Sequence, residues 1–431
     1  MHGPAPDPDI STGGPMNTLN QVLRHPDCMI GPDLEAWMSR GGGTGLRNAL
    51  AGPVEILPMI EAADLRGMGG AGFPTFRKWG YMLPSPRDGG DRYLIANGNE
   101  DEPGTFKDRA LLEDSPHQVI EGALIAALAL DVNRILFYIN PRAAESLKAI
   151  EAAVGQWLES GILDEMAEHL GHPPKLEVHR SSGLYIGGEE TAAIASVEGG
   201  FPFPRRKPPF PAESGVEGRP TMVNNVETLA HLTHILRHGA DWYRRLGIGG
   251  ASGVNLFSLS GDVLRPGLYE LPMGTTLREL IFTHGGGMLQ GKAFKAVFTG
   301  GPSNTILTGD DLDVPLDWDS LRARRSRLGT GAMIVVSEGA SIVRRVADYV
   351  DFFAEGSCGQ CPPCKIGTRE LAYLLRAIDA GRGTRADLDR VERLCAMLPD
   401  SGRCSLVDGA VTVVESSLYK LRREYELLLV S

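Results

Sequence analysis

Three cysteines, Cys358, Cys361 and Cys364, fall at every third residue in the stretch "EGSCGQCPPCKIG". Thiolates at that spacing can reach one metal centre from a single short segment, but tetrahedral coordination needs a fourth ligand. Two further cysteines could supply it. Cys395 lies in "RVERLCAML", in helical register with Leu388, Val391, Leu394 and Leu398, and so reads as a structural thiol on an apolar helix face. Cys404 lies in "LPDSGRCSLVDG", a Pro/Gly/Ser turn before the last helix. There the loop is free to aim the sulfur, and the helix dipole supports a thiolate. Cys404 is the expected fourth ligand. Zinc sites usually pair two separate knuckles, and all ten histidines lie at or before His284, so no local imidazole is at hand. The ligand pattern points to a four-iron–four-sulfur cluster rather than zinc.

A second group of residues could hold a flat, phosphorylated heterocycle. The segment "GMGGAG" (67–72) superficially fits a dinucleotide fingerprint, but it follows a helix-like stretch rather than a strand, and no acidic residue ends a second strand at the expected distance. A flexible turn would explain the glycines equally well. Phe73, Lys78, Trp79 and Tyr81 follow at once, however, and place a cation and aromatic faces beside backbone that a ligand can approach closely. The loop "NGNEDEPGTFKD" (97–108) gathers Asn97, Asn99, Glu100, Asp101 and Glu102. It is either a solvated loop or a set of ligand contacts at a strand's carboxyl end, where α/β domains bind their ligands. In "GLYIGGEETAAIASVEGG" (183–200), Gly187 and Gly188 open a helix whose first turn would carry Glu189 and Glu190. Acidic residues there also suit the helix dipole. "RRKPPFP" (205–211) offers a cation and a ring, and "MVNNVET" (222–228) offers amides at another helix start.

The elements that position these segments follow from periodicity. "RYLIAN" (92–97), a long helix over about 108–130, and "RILFYIN" (134–140) read as strand, helix, strand, hence a parallel crossover. A helix over 142–160 and the strand "KLEVHR" (175–180) extend the pattern into one α/β domain over 46–246, preceded by an arm over 1–45 with one short helix. "VNLFSLSGDVLRPGLYELP" is a hairpin that begins a small β-rich domain over 247–335. From 336 to 431 amphipathic helices with short connections imply a helical bundle, with Ile342, Val346, Tyr349 and Phe353 on one stripe.

Composition agrees and excludes alternatives. The chain has 431 residues, 42% of them hydrophobic and 23% charged, which is ample for several soluble domains. A formal net charge of −11 argues against a nucleic-acid partner. "ALIAALAL" (123–130) is far too short to span a bilayer, and "MHGPAPDPDISTGG" does not resemble a signal peptide. Five of the six cysteines lie after residue 357 and the sixth is Cys28, a clustering that suggests metal rather than a disulfide framework. The expectation is a cytoplasmic protein with no direct membrane insertion, peripheral at the inner membrane only through a complex.

Five segments in order, "GMGGAGFPTFRKW", "NGNEDEPGTFKDR", "YIGGEETA", "VNNVET" and "SCGQCPPC…C", closely resemble the flavin- and NADH-binding subunit of respiratory complex I. The resemblance extends to the diaphorase subunits of NAD-dependent formate dehydrogenases and hydrogenases, and runs from about residue 40 to the C-terminus. It implies an α/β flavin-binding domain, a small β-grasp (ubiquitin-like) domain and a C-terminal helical bundle carrying a 4Fe–4S cluster. It implies that Gly67, Gly69, Gly70, Lys78, Asn97, Asn99, Glu100, Tyr185, Gly188, Glu189, Asn224, Asn225 and Thr228 surround FMN. Glu102 and Glu190 would meet the nicotinamide and ribose of NAD(H) as the catalytic pair, and Phe73, Tyr81, Lys207 and Phe210 its adenine and phosphate end. The implied reaction is hydride transfer between NAD(H) and FMN, then single-electron transfer to the cluster.

The implied partners are a small thioredoxin-like 2Fe–2S subunit and a larger iron–sulfur, molybdenum/tungsten or hydrogenase subunit. Complex I and a soluble NAD-reducing dehydrogenase are the two assemblies that fit. The contrasting class is a non-catalytic iron–sulfur scaffold, against which the retained Glu102, Glu190, Phe73 and Lys207 count. The chain departs from the family pattern at Met68, where Arg is usual, at Asn99, where Asp is usual, and at Gly187, where Cys is usual. These changes bear on the flavin potential and the direction of electron flow.

Overall fold

Every expected strand of the first domain forms, and together they make one parallel sheet. In the computed structural model, which describes residues 22–85 and 88–430, the leading helices are α1 (Leu34–Ser39), α2 (Thr44–Ala51), α3 (Ile56–Ala62) and α4 (Thr75–Gly80). The first 21 residues of the expected arm lie outside the described part. Next come β1 (Tyr93–Gly98), α5 (Lys107–Asp114), α6 (Pro116–Leu130) and β2 (Arg134–Ile139). They are followed by α7 (Ala144–Glu159), α8 (Ile162–Leu170), β3 (Lys175–Arg180), α9 (Glu190–Val197) and β4 (Thr221–Asn225). The strand order is β3-β2-β1-β4, all parallel. β1 therefore lies inside the sheet, and the polar loop after it opens at the sheet's carboxyl edge beside the end of β4.

The single helix expected over 108–130 is two. Ser115 leaves helical geometry (φ −153°, ψ 53°) and Pro116 occupies the first turn of α6. A residue before proline avoids the helical region, and the proline lacks the N–H that a continuous helix would need. The separate α8 was not expected from the sequence. α6 is buried on nearly all sides, in keeping with its run of apolar residues. Its Gly122 lets α10 (Val226–His238) approach so closely that a Cβ would stand 1.8 Å from the Leu229 carbonyl oxygen.

After α10 and α11 (Ala240–Arg245), the chain builds a second sheet from β5 (Val254–Gly261), β6 (Gly267–Pro272), β7 (Phe294–Thr299), β8 (Ile306–Thr308) and β9 (Ala332–Ser337). A π-helical turn, Glu279–His284, and α12 (Trp318–Ala323) lie between them. The order is β6-β5-β9-β7-β8, with β5 and β9 parallel and the other pairs antiparallel. Alternation along the strands serves two cores. Val297, Leu307 and Val335 pack with Leu277, Leu280 and Ile281, while Ala296, Phe298, Ile306 and Val336 join the core of the C-terminal helices.

Those helices are α13 (Ile342–Gly356), α14 (Pro362–Asp379), α15 (Arg385–Met397) and α16 (Leu406–Glu426). Their expected stripe is Ile342, Val346 and Phe353, all fully buried, with Tyr349 packed against the same core. No helix among the described residues is long and apolar enough to cross a membrane.

Candidate functional site: a cleft and a cysteine cavity with a common wall

The loop after β1 is fixed by its own polar side chains. Asn97 Nδ2 donates to the Gly188 carbonyl at 3.0 Å, and Asn97 Oδ1 accepts from the Asn99 N–H at 3.0 Å. Asn99 in turn donates through Nδ2 to the Leu184 carbonyl at 3.2 Å, and its Oδ1 accepts from the Ser181 hydroxyl. The loops 97–108 and 181–190 are thereby tied into one wall. Glu189 is the N-cap of α9, not a residue of its first turn, and its carboxylate accepts from the N–H groups of Thr191 and Ala192. Glu100 is similarly engaged: it accepts from the N–H groups of Asp108 and Arg109 at the start of α5.

Between these loops and the second sheet lies a cleft of about 710 Å³. Of the residues predicted to contact cofactor or dinucleotide, Gly69, Asn97, Asn99, Glu100, Glu102, Tyr185, Gly188, Glu189 and Asn225 line it. Gly70, at φ +113°, holds a backbone shape that L side chains rarely adopt, which leaves the glycine loop open to close approach. Other predicted residues support the wall from behind. Buried Asn224 accepts from Trp79 Nε1 at 2.9 Å, and fully buried Thr228 accepts through its hydroxyl from the Met68 N–H at 2.8 Å. Met68 itself packs in the main core at 2% exposure. Gly67 meets the Phe73 carbonyl through its N–H.

Phe73, Lys78, Tyr81, Glu190, Lys207 and Phe210 are not among the residues that line the cleft. Glu190 lies 3.1 Å from Lys78 Nζ and 2.7 Å from Lys207 Nζ. Burial works to raise its carboxyl, but Lys78 and Lys207 hold it below the usual range. Phe73 and Tyr81 are exposed rings 6.4 Å apart, and Phe210 is exposed as well. Glu102 is held elsewhere. It is half-buried in the cleft lining, and desolvation there raises its carboxyl despite hydrogen bonds from Tyr185 and Ser303. The Ser303 N–H reaches it at 3.3 Å from the second sheet's domain. The two glutamates thus have different partners.

Four cysteines, Cys358, Cys361, Cys364 and Cys404, line one small cavity with Ile186, Pro204, Gln360 and Leu406. The three spaced cysteines do not all sit in a loop. Cys361 is the N-cap of α14 and Cys364 lies in its first turn. Donors attend the sulfurs: the Ser357 hydroxyl is 3.3 Å from Cys364 Sγ and Gln360 Nε2 is 3.7 Å from Cys358 Sγ. Burial pushes the Cys404 thiol up to about 12, with Cys364 and Cys358 among the charges that add to the rise. Four thiolates side by side in that setting require a cationic centre. Cys395 is elsewhere, buried on α15 with Glu415 and Glu392 as its charged neighbours.

The cleft and the cysteine cavity share a wall. Ile186, Cys404 and Leu406 line both. Tyr185, next to that wall, packs edge-on against Phe352 (4.9 Å) and Phe353 (5.9 Å) of α13. Sequence reasoning missed the far side of the cleft, where Ser303, Asn304, Thr305, Arg325, Arg327 and Thr330 come from the second domain. No local pattern marks those residues. It also singled out neither Lys107 nor Asp108 from the loop 97–108, and both line the cleft.

Comparison with known proteins bears on both cavities. Residues 60–234 match the Nuo51 FMN-binding domain, 256–307 the SLBB domain, and 344–428 the NADH-ubiquinone oxidoreductase-F iron–sulfur binding region. An NADH-quinone oxidoreductase subunit of Rhizobium meliloti (strain 1021) is 40% identical, over 94% of this chain and 96% of that one. The HndC subunit of the NADP-reducing hydrogenase of Solidesulfovibrio fructosivorans is also 40% identical, over 91% of this chain and 80% of that one. A solved NAD⁺-reducing [NiFe]-hydrogenase in the H2-reduced state aligns with a TM-score of 0.83 at 34% identity, covering 95% of this chain and 68% of that one. The matches cover the cleft, the second sheet and the cysteine cavity in order, and the chain belongs to the family of flavin- and iron–sulfur-binding NADH-quinone oxidoreductase subunits.

Proposed function

We propose that the chain is the electron-input subunit of a multi-subunit oxidoreductase, an NADH dehydrogenase with FMN in the cleft and a 4Fe–4S cluster in the cysteine cavity. FMN supplies the exchange of two electrons for single ones, and the cluster carries one electron at a time. The observation that carries this reading is the common wall of Ile186, Cys404 and Leu406, which leaves only a side chain's thickness between the two compartments.

The chain's own residues have distinct tasks. Gly67, Gly69 and Gly70 present bare backbone to the cofactor, while Asn97, Asn99, Asn225 and the Tyr185–Gly188 segment shape the floor and wall around it. Glu102, its carboxyl raised by desolvation and held by Tyr185 and Ser303, and Glu190, its carboxyl held low between Lys78 and Lys207, serve as the catalytic pair that seats the nicotinamide and its ribose. Phe73, Tyr81 and Phe210 offer ring faces to the adenine, and Lys207 a charge to the phosphates. Cys358, Cys361, Cys364 and Cys404 hold the cluster. The second sheet, with strand order β6-β5-β9-β7-β8, supports a β-grasp reading. The domain limits proposed from the sequence, 46–246, 247–335 and 336–431, suit the order of helices and strands along the chain.

Partners of this kind are in keeping with the relatives, which are themselves subunits of larger enzymes. A small thioredoxin-like 2Fe–2S subunit and a larger iron–sulfur or hydrogenase-type subunit are the partners we propose. A soluble diaphorase role is a second reading, supported by equal identity to the hydrogenase subunit and by the likeness to the NAD⁺-reducing hydrogenase.

The test is NADH:ferricyanide activity of the purified full chain, with extractable flavin and iron assayed alongside. Absence of both FMN and NADH-dependent bleaching would leave only a scaffold. Cys404→Ser is expected to abolish the cluster's electron-paramagnetic signal and Cys395→Ser to keep it; the reverse pattern would overturn the ligand assignment.

A further inference from the structure

Beneath the cleft lies a buried ionic cluster whose charged members have no part in the roles above. Lys107 and Asp108, the first residues of α5, are 1% and 5% exposed, yet both line the cleft. Lys107 Nζ stands 2.6 Å from Asp108 Oδ1 and 2.8 Å from Glu227 Oε2, and donates to Asn225 Oδ1 at 3.3 Å. Asp108 Oδ2 accepts from Asn225 Nδ2 at 2.7 Å. On the far side, Glu227 Oε1 accepts from the Leu256 N–H at 3.1 Å and lies 3.8 Å from His231 Nε2. His231 Nδ1 meets the Tyr243 hydroxyl at 3.2 Å.

The charges in this cluster do not balance. One ammonium faces two carboxylates, so full ionisation would leave a net negative charge on groups that are almost wholly buried, which is strongly unfavourable. The cluster therefore favours an additional proton near neutrality, and the two carboxylates do not compete equally for it. Glu227 has the Leu256 N–H and Lys107 to stabilise its charge, and Lys107 holds its carboxyl below the usual range although burial works the other way. Asp108 is raised to about 7, by burial first, then by the neighbouring charges of Glu100 and Glu227 set against Lys107. Glu100, the remaining carboxylate facing Asp108, is paired with Arg109 at 3.2 Å. Asp108 is also the member that lines the cleft.

We propose that Asp108, held by Lys107, Glu227 and Asn225, is the proton-loading site of the flavin cleft, taking up a proton when negative charge arrives there and giving it back when the charge leaves. This rests on the reading that FMN occupies the cleft. A hydride leaving NADH brings two electrons and one proton, so its arrival adds one negative charge to what the cleft holds. Conversion of the Asp108 carboxylate to the acid, by one proton from cleft water, cancels that charge. Departure of the two electrons, one after the other, removes two negative charges. The Asp108 proton and the proton that came with the hydride are then released, and the cleft returns to its starting charge. A new charge nearby in a low-dielectric site shifts a carboxyl's proton affinity strongly, whereas a solvated carboxyl would barely respond.

The test uses the full chain with FMN and cluster bound. Reduction-minus-oxidation infrared spectra and flavin potentiometry would be recorded across a series of pH values spanning neutrality. The wild type is expected to gain a carboxylic-acid band on reduction and to show a flavin potential that falls more steeply with pH than flavin protonation alone requires. Asp108→Asn should lose the band and the extra steepness. Glu227→Gln, which leaves Lys107 balanced by Asp108 alone, should move the same transition to lower pH. A wild type without any reduction-linked carboxylic-acid band would overturn the proposal without recourse to a variant. So would a band that persists in flavin-loaded Asp108→Asn. A chain that holds no FMN overturns the underlying reading as well, whereas full NADH bleaching without the carboxyl response overturns this proposal alone.

Discussion

At the scale of single residues, two departures from the family pattern turn out to be neighbours. Asn99 donates to the Leu184 carbonyl, which a carboxylate in its place could not do. A Cβ on Gly187 would stand 2.5 Å from Ser182 Oγ and 3.7 Å from Asn99 Nδ2, so a larger residue there needs Ser182 to give way. The two positions form one packing unit, although in the sequence they are 88 residues apart and each reads as an isolated change. Asn99→Asp would set acceptor against acceptor. Leaving a buried acceptor unsatisfied costs about 1–3 kcal/mol, which on loop 181–188 should weaken FMN binding by roughly tenfold to a hundredfold. Flavin fluorescence released on dilution would measure it, and an unchanged dissociation constant would show that this amide does not hold the loop. The residue types at the site were legible because glycines, amides and cysteines carry their chemistry in their names. Their pairings were not: nothing in "NGNEDEP" says that Glu100 reaches forward to the N–H groups of Asp108 and Arg109 while Glu102 turns toward Ser303.

At the scale of elements, periodicity located strands β1, β2 and β3 to within a residue, because buried apolar runs bounded by polar turns have few other homes. It failed at Ser115–Pro116, where an apolar pattern continues straight through a break made by the proline's missing N–H. It also missed that α14 starts at Pro362, which carries Cys364 into a helix. Clamps between distant elements are beyond any local pattern. Glu270, on β6, accepts the N–H groups of Val22, Leu23 and Arg24 at 3.0, 2.8 and 2.9 Å and pins the start of the described chain to the second domain. Glu270→Ala removes the acceptor of three N–H groups at once. Leaving buried N–H donors without an acceptor is expected to cost about 1–3 kcal/mol for each donor that water cannot reach, seen as a lower thermal midpoint and faster amide exchange at residues 22–24. Exchange as slow as in the wild type would show that the arm is held by other means.

At the scale of the whole molecule, acid should loosen the fold through histidines that are buried neutral. His117 accepts the Trp157 indole N–H on Nδ1 at 3.0 Å, and burial pushes it down to about 4; burial carries His234 well below its ordinary value too. A folded-state pKa lowered in this way means that the unfolded chain binds more protons below about 6.5. Stability from these groups is therefore complete above that pH and is lost as pH falls toward 4, with about 3 kcal/mol at stake for His117. Thermal midpoints of the full chain measured from neutral pH downward should fall. His117→Gln, which keeps an acceptor for Trp157, should flatten part of that slope, and an identical slope in the variant would clear His117 of the effect.

The partition formed by Ile186, Cys404 and Leu406 has a bearing on inheritance. Ile186 descends from the α/β half of the chain, while the other two belong to the helical end. Neither half therefore owns its own cavity. A helical end transplanted from a relative would arrive carrying part of the cleft's lining, and a transplanted cleft would bring one side of the cysteine cage. Successful chimeras in this family should be those whose seams leave all three residues from a single parent.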